Sequence, residues 1–257
     1  MSTGIELGIA TMYLSFLVVI PLAALVWRGV GGGWGDFWDN ATTPEALSAL
    51  KLTIVLSLIV ALINAAMGTL IAWVMVRDSF PGQRIVDALI DLPFALPTIV
   101  AGLVLLALYG AKSPIHLSLA YTRLGVAVAL LFVTLPFVVR TVQPVLLEID
   151  RDMEQAAASL GASRFTTFRR IILPNLVPAI FAGTALSFAR AISEYGSTVL
   201  ISGNLPFKTQ VAPVQIFNQI QSDNEAGAAA VSTVLLVVSL FVLVALGLIQ
   251  RWAVRRD

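Results

Sequence analysis

Charged residues leave long gaps along this chain. Residues 7–27, 52–76, 92–111, 124–139 and 226–250 contain no Asp, Glu, Lys or Arg. A helix crossing a bilayer core of about 30 Å needs about 20 apolar residues. The stretch 124–139 is short for this, but the long stems of Arg123 and Arg140 can extend outward at its ends. A sixth apolar stretch, 176–200, is interrupted by Arg190 and Glu194. The pattern predicts an all-α, polytopic integral membrane protein with six transmembrane helices in a single domain spanning 1–257. The first stretch is longer than a signal core of about 7–15 residues and has no Lys or Arg before it, so it is expected to stay in the mature chain. Pro21, Pro93, Pro97 and Pro136 mark helix ends or bends.

Six crossings place both termini on one side. That side gathers ten Lys and Arg residues against five on the other, with Arg190 inside a span. Arginine and lysine favour the cytoplasmic side, so both termini are expected there. The tail arginines Arg251, Arg255 and Arg256 then anchor the last helix. Trp27, Trp73 and Trp252 lie near span ends, where interfacial aromatic belts form. His116 falls in a short outer loop and is read as solvated.

Between the fourth and fifth spans the pattern changes to two short amphipathic helices, over about 150–175. Asp152 and Gln155 have the spacing of a capping box. Ala156, Ala157, Ala158 and Leu160 favour helix. Gly161 can end the first helix in the left-handed conformation, and Ser163 can cap the second. Phe165, Phe168 and Ile172 then share one side, and Pro174 and Pro178 close the unit. Such a hairpin either lies on the membrane surface or docks against a partner.

Composition narrows the class. Charged residues make up 12% of the chain and apolar residues 58%, against about 25% charged in soluble domains. This excludes a soluble enzyme and a disordered chain. The net charge of +1 gives no general attraction for nucleic acid. There is no Cys and a single His, which disfavours a metal centre or a thiol nucleophile. No Gly-Lys-Ser/Thr phosphate loop occurs, so any ATP must be hydrolysed by another polypeptide. No carboxylate pair or Ser–His arrangement has catalytic spacing, which argues against an intramembrane enzyme. No internal repeat of the kind seen in secondary transporters is evident.

The hairpin also carries a gapped motif. Gln155-Ala156-Ala157 is followed by Gly161 and, after nine intervening residues, by Ile171, Leu173 and Pro174. This resembles the E-A-A loop of ABC importer permeases, with Gln155 where the pattern has Glu and Glu154 just before it. The run Asp91-Leu92-Pro93-Phe94-Ala95-Leu96-Pro97 with Val100-Ala101-Gly102 is similar to the third span of sulfate and molybdate permeases. Phe188 to Ser197 resembles their fifth span. The Glu194-Tyr195-Gly196-Ser197 form and Val211-Ala212-Pro213 are closer to the T-type sulfate/thiosulfate group. The resemblance implies a type I ABC importer permease fold in a bacterial plasma membrane, importing sulfate or thiosulfate by alternating access, with molybdate or tungstate as the alternative cargo. It implies a second permease subunit or a homodimer, two ATP-binding subunits that hold the ATP and Mg, and an extracytoplasmic sulfate-binding protein. This chain would carry no cofactor. The hairpin would be the coupling helix, with Glu154, Gln155, Ala156, Ala157, Leu160, Gly161, Ala162 and Phe165 as candidate contacts to the ATPase.

Within the fifth span, a helical wheel places Thr184, Ser187, Arg190, Ser193, Glu194, Ser197 and Thr198 on one half. Arg190 and Glu194, four apart, are within ion-pair reach. The polar half-face suits one wall of a hydrated anion pathway, or hydrogen bonding between helices.

Overall fold

The computed structural model describes residues 2–254, which form helices joined by short turns, with no strand among them. α1 (Ser2–Leu14) runs through a π turn (Ser15–Val19) into α2 (Ile20–Val30), giving a first span of Gly4–Val30. α3 (Trp34–Ala41) is a short amphipathic helix. It buries Phe37 against Val30, Ala41, Ala230 and Val234 and leaves Trp34 and Trp38 exposed. α4 (Pro44–Arg77) is the second span. Thr43 caps it by accepting from Ala46 N at 3.3 Å, with Pro44 in the first turn where a missing N–H costs nothing.

α5 (Gln83–Ala95) and α6 (Thr98–Tyr109) meet at a bend of 116°. The expected third span of 92–111 is therefore two helices. Pro93 lies inside α5, and the break falls at Leu96, which is extended as residues before proline tend to be. α7 (Arg123–Glu148) is longer than its uncharged stretch and passes through Pro136 and Pro144. Arg140 does not reach for solvent past a helix end. Its guanidinium meets Asp91 at 2.6 Å and Asp87 at 2.8 Å, both on α5. Pairing is what lets the charge sit within the helix.

α8 (Arg151–Ser159) and α9 (Arg164–Thr167) form the hairpin. α9 continues through a π turn (Phe168–Ile172) into α10 (Leu173–Ile192). α11 (Gly196–Ile201), α12 (Ala212–Gln221) and α13 (Glu225–Val254) complete the order. By length and apolarity five helices can cross a membrane, or six with the bent pair counted as one span. That agrees with the five uncharged stretches and the sixth that Arg190 and Glu194 interrupt. Arg255 and Arg256 lie outside the described residues, as do the side chains of Arg251 and Trp252.

The core is built where α4, α7 and α10 pack together. A Cβ on Gly68 would lie 2.8 Å from Val138 Cβ, and one on Gly183 would lie 2.9 Å from Val138 Cα. Two glycines on two helices thus let both backbones close on one buried valine. Close approach through small residues is how membrane helices gain dispersion energy when lipid is as apolar as the side chains. Ala72, Val139, Val142, Leu146, Ile172 and Leu176 extend this core toward the hairpin. Val60, Val126, Leu130, Ala191, Val211 and Val214 extend it toward the other end.

A buried hydrogen bond ties α12 to α4. Ala212 N donates to Thr53 Oγ1 at 2.7 Å, and Val211 offers the helix no side-chain cap of its own. Thr53→Val is expected to strand that N–H and cost about 1–3 kcal/mol. The check is the thermal denaturation midpoint of the detergent-purified chain, which Thr53→Ser should restore.

Candidate functional site

The hairpin is shaped by local rules. Asp150 caps α8 by accepting from Asp152 N at 2.9 Å. The cap is therefore Asp150, and the Asp152–Gln155 box does not form, because the helix starts at Arg151 and leaves Asp152 inside it. Gly161 has φ of 81°. Gly161 N donates to Ala158 O and Ala162 N to Ala157 O, both at 3.0 Å. This paired closure needs a left-handed residue, which glycine supplies without strain. Ser163 caps α9 through Thr166 N at 3.2 Å, as its position predicts.

The second limb departs from expectation. Pro174 does not close the hairpin. It lies in the first turn of α10, and 164–192 is one rod. In the π turn, Leu173 N reaches Phe168 O five residues back. Phe165 precedes this turn, in α9, while Phe168 and Ile172 lie within it. Phe168 packs edge-on against Trp73 at 5.4 Å, and Ile172 is buried, whereas Phe165 is 71% exposed. Trp73 is therefore half-buried and packs against the second limb of the hairpin.

The eight candidate coupling residues divide in two. Gln155, Ala156, Leu160, Gly161 and Phe165 face outward, with Leu160 89% exposed. Glu154, Ala157 and Ala162 face inward. Glu154 meets Arg77 at 2.5 Å, while Ala162 lines a cavity of about 230 Å³ with Trp73, Glu154, Ala158 and Phe168. Adjacent residues thus take opposite roles: Glu154 is engaged within the chain, and Gln155 is free at the surface.

The polar face expected along 184–198 is interrupted. α10 stops at Ile192 and α11 begins at Gly196, so one wheel cannot run through both. Glu194 occupies the break and is 1% exposed. It pairs with Arg190 at 2.7 Å, as the four-residue spacing predicts. It also accepts from Ser197 N at 2.8 Å and Ser197 Oγ at 3.0 Å, which places an anion at the start of α11. Thr198 and Thr184 give their hydroxyls to the Glu194 and Ile180 carbonyls. Ser187 is fully buried, and Ser193 is exposed and donates to Ala189 O. The seven residues therefore do not line one continuous wall. Five of them are buried in the packing of this chain, and only Arg190 and Ser193 present surface.

The break is welded to α6. A Cβ on Gly196 would stand 2.8 Å from Ile99 N, and one on Gly102 would stand 2.7 Å from Ser197 O. The half-helices of two broken spans thus touch backbone to backbone. Sequence reading missed this contact, as it missed the Arg140 cluster, although Asp87 and Asp91 are four apart on α5. His116 is exposed, as expected. Among the described residues no group of three His, Asp or Glu side chains is placed to hold a metal.

With this geometry in view, the chain matches the family model of the binding-protein-dependent transport system inner membrane component over residues 64–256. It belongs to that family. A sulfate transport system permease protein CysT from Synechocystis sp. is 47% identical, with 99% of this chain and 91% of the relative covered. A probable sulfate transport system permease from Chlorokybus atmophyticus is 49% identical over 93% of this chain and 86% of the relative. The Escherichia coli CysT is 39% identical over 96% and 91%. A solved bacterial ABC transporter for alginate import has a chain of the same fold, with a TM-score of 0.80 at 16% identity over 97% of this chain and 94% of that one. A chain of the MetNI methionine ABC transporter reaches 0.58 at 16% identity over 82% and 94%. The permease fold of ABC importers, expected from the hairpin motif, is therefore the fold this chain adopts, and the chain is a multi-pass membrane permease.

Proposed function

We propose that this permease is the membrane-spanning subunit of an ATP-driven importer that carries sulfate, and thiosulfate with it, into the cell. The observation that carries the reading is near-full-length identity of 39–49% to permeases named for sulfate transport. The hairpin supports the energy source. Its turn is rigidly closed at Gly161, yet it leaves Leu160 and Phe165 bare, and apolar side chains held out by a stiff turn fit a cleft on a partner. That partner is an ATP-binding subunit, two per transporter, which supplies the ATP and Mg. A second permease subunit completes the pore, and an extracytoplasmic binding protein delivers the anion to the end opposite the hairpin. The excess of arginine on their side supports a cytoplasmic hairpin and cytoplasmic termini.

Closure of the two ATP-binding subunits draws the paired hairpins together and rocks the permeases between inward-open and outward-open states. Within the chain, Arg190 and Ser193 are the polar side chains of the break left to meet a passing anion. The buried members of the set hold the break in shape. Weak, water-assisted contacts suit passage, because tight binding would block release.

The test is uptake of radiolabelled sulfate into proteoliposomes holding the whole complex, with unlabelled sulfate, thiosulfate and molybdate as competitors. ATP-dependent uptake blocked by sulfate and thiosulfate is the expected result. Competition by molybdate alone would move the chain to the molybdate group. Uptake driven by the purified chain without ATP-binding subunits would refute the importer reading.

A further inference from the structure

Arg77 is the last residue of α4, and Glu154 lies on α8, far along the chain. Their side chains meet at 2.5 Å, and both are largely withdrawn from water, at 11% and 27% exposure. The Arg77 guanidinium also lies 5.5 Å from the centre of the Trp73 ring. Trp73 in turn meets Phe168 on the other limb of the hairpin. The end of α4 therefore holds both limbs: α8 by charge, and the second limb by a ring contact. An exposed ion pair is worth little. This one is shielded and backed by an aromatic face, which adds cation–π attraction.

α4 is well placed to pass a displacement on. Beyond Arg77, Gly68 is seated on Val138 of α7. Asn64 donates to Thr134 Oγ1 of α7 at 2.8 Å. At the far end Thr53 caps α12. One continuous helix thus runs from the hairpin to the opposite face and is fastened at each level.

We propose that Arg77 and Glu154 form the strut through which movement of the hairpin enters α4, making both of them positioning residues for transport. The proposal rests on the reading of the hairpin as the seat of the ATP-binding subunit. It also assigns the neighbouring residues. Glu154 is spent on the strut, so Gln155 is the polar side chain left to meet the motor. The competing route is the rod 164–192, which joins the second limb directly to α10. If that rod alone carries the motion, breaking the ion pair changes nothing.

The experiment uses the whole complex in proteoliposomes and reads sulfate imported per ATP hydrolysed. Arg77→Ala and Glu154→Ala are each expected to lower that ratio about tenfold, within the range by which coupling residues act. The exchanged pair Arg77→Glu with Glu154→Arg is expected to recover most of it. A ratio unchanged in the single variants, or an exchanged pair no better than either, overturns the proposal. If the single variants fail to accumulate, the absence of native cysteine allows a second measurement. Arg77→Cys with Glu154→Cys, joined by a short thiol cross-linker, should keep transport, since a strut does not need to open. Loss of transport on cross-linking overturns the proposal. A wild-type complex without ATP-dependent uptake would instead refute the underlying importer reading, so the two failures are distinct.

Discussion

Gly102→Val is expected to abolish uptake and to reduce the amount of permease in the membrane. The side chain would enter a space already filled by backbone. A Cβ at Gly102 meets Ser197 O at 2.7 Å and Ser197 Cα at 2.9 Å. Backbone atoms cannot rotate away as the end of a flexible side chain can. Ser197 is further held by Glu194 through both its N–H and its hydroxyl. Either α6 and α11 separate or the break at Glu194 is remade, and overpacking of this kind costs about 1–3 kcal/mol or more. Immunoblots of membranes and radiolabelled uptake read the two effects. Gly8→Val is the control, because nothing lies within 4 Å of a Cβ there. A Gly102→Val chain with normal abundance and uptake would show that the α6–α11 contact does not matter.

Glu194→Ala is expected to be nearly as severe, for an electrostatic reason. The carboxylate pairs with the Arg190 guanidinium and accepts from Ser197 N in the first turn of α11. Removing it leaves a cation and a helix start without partners. Breaking one side of a buried pair costs about 3–5 kcal/mol. Arg190 is 32% exposed, so water recovers part of this and the lower end of the range applies. Arg190→Ala with Glu194→Ala should be less damaging than Glu194→Ala alone, because no unpaired cation remains. Thermal denaturation midpoints of the purified chains give the order, and a double variant weaker than the single would contradict it.

How much of this was legible depends on how far apart the deciding residues lie. Charged punctuation marked the six membrane stretches, because desolvating Asp, Glu, Lys or Arg is costly wherever it occurs along the chain. Gly161 and Ser163 were readable, since a left-handed turn and a helix cap each depend on a few neighbouring residues. The Arg190–Glu194 pair followed from its spacing. The wheel failed past Ile192 because it assumed one helix, and Gly196 fits so closely against Ile99 that the chain turns there instead. Phe165 was misplaced because spacing alone does not say which ring of the limb Trp73 of α4 covers, and it covers Phe168. Arg140 gave no sign of its partners: α5 offers Asp87 and Asp91 on one face, but only packing brings that face to α7. The same holds for Arg77, which follows the uncharged stretch 52–76 and carries no local sign that α8 folds back onto it.

Val138 sits between Gly68 and Gly183 like an axle between two bearings. A trio of helices fitted this closely has no slack for sliding past one another. Larger side chains at either glycine would jam three elements at once, and a smaller one at Val138 would loosen all three. Tolerance to sequence drift should therefore be lowest at this three-helix contact, although none of its residues belongs to the hairpin or to the break at Glu194.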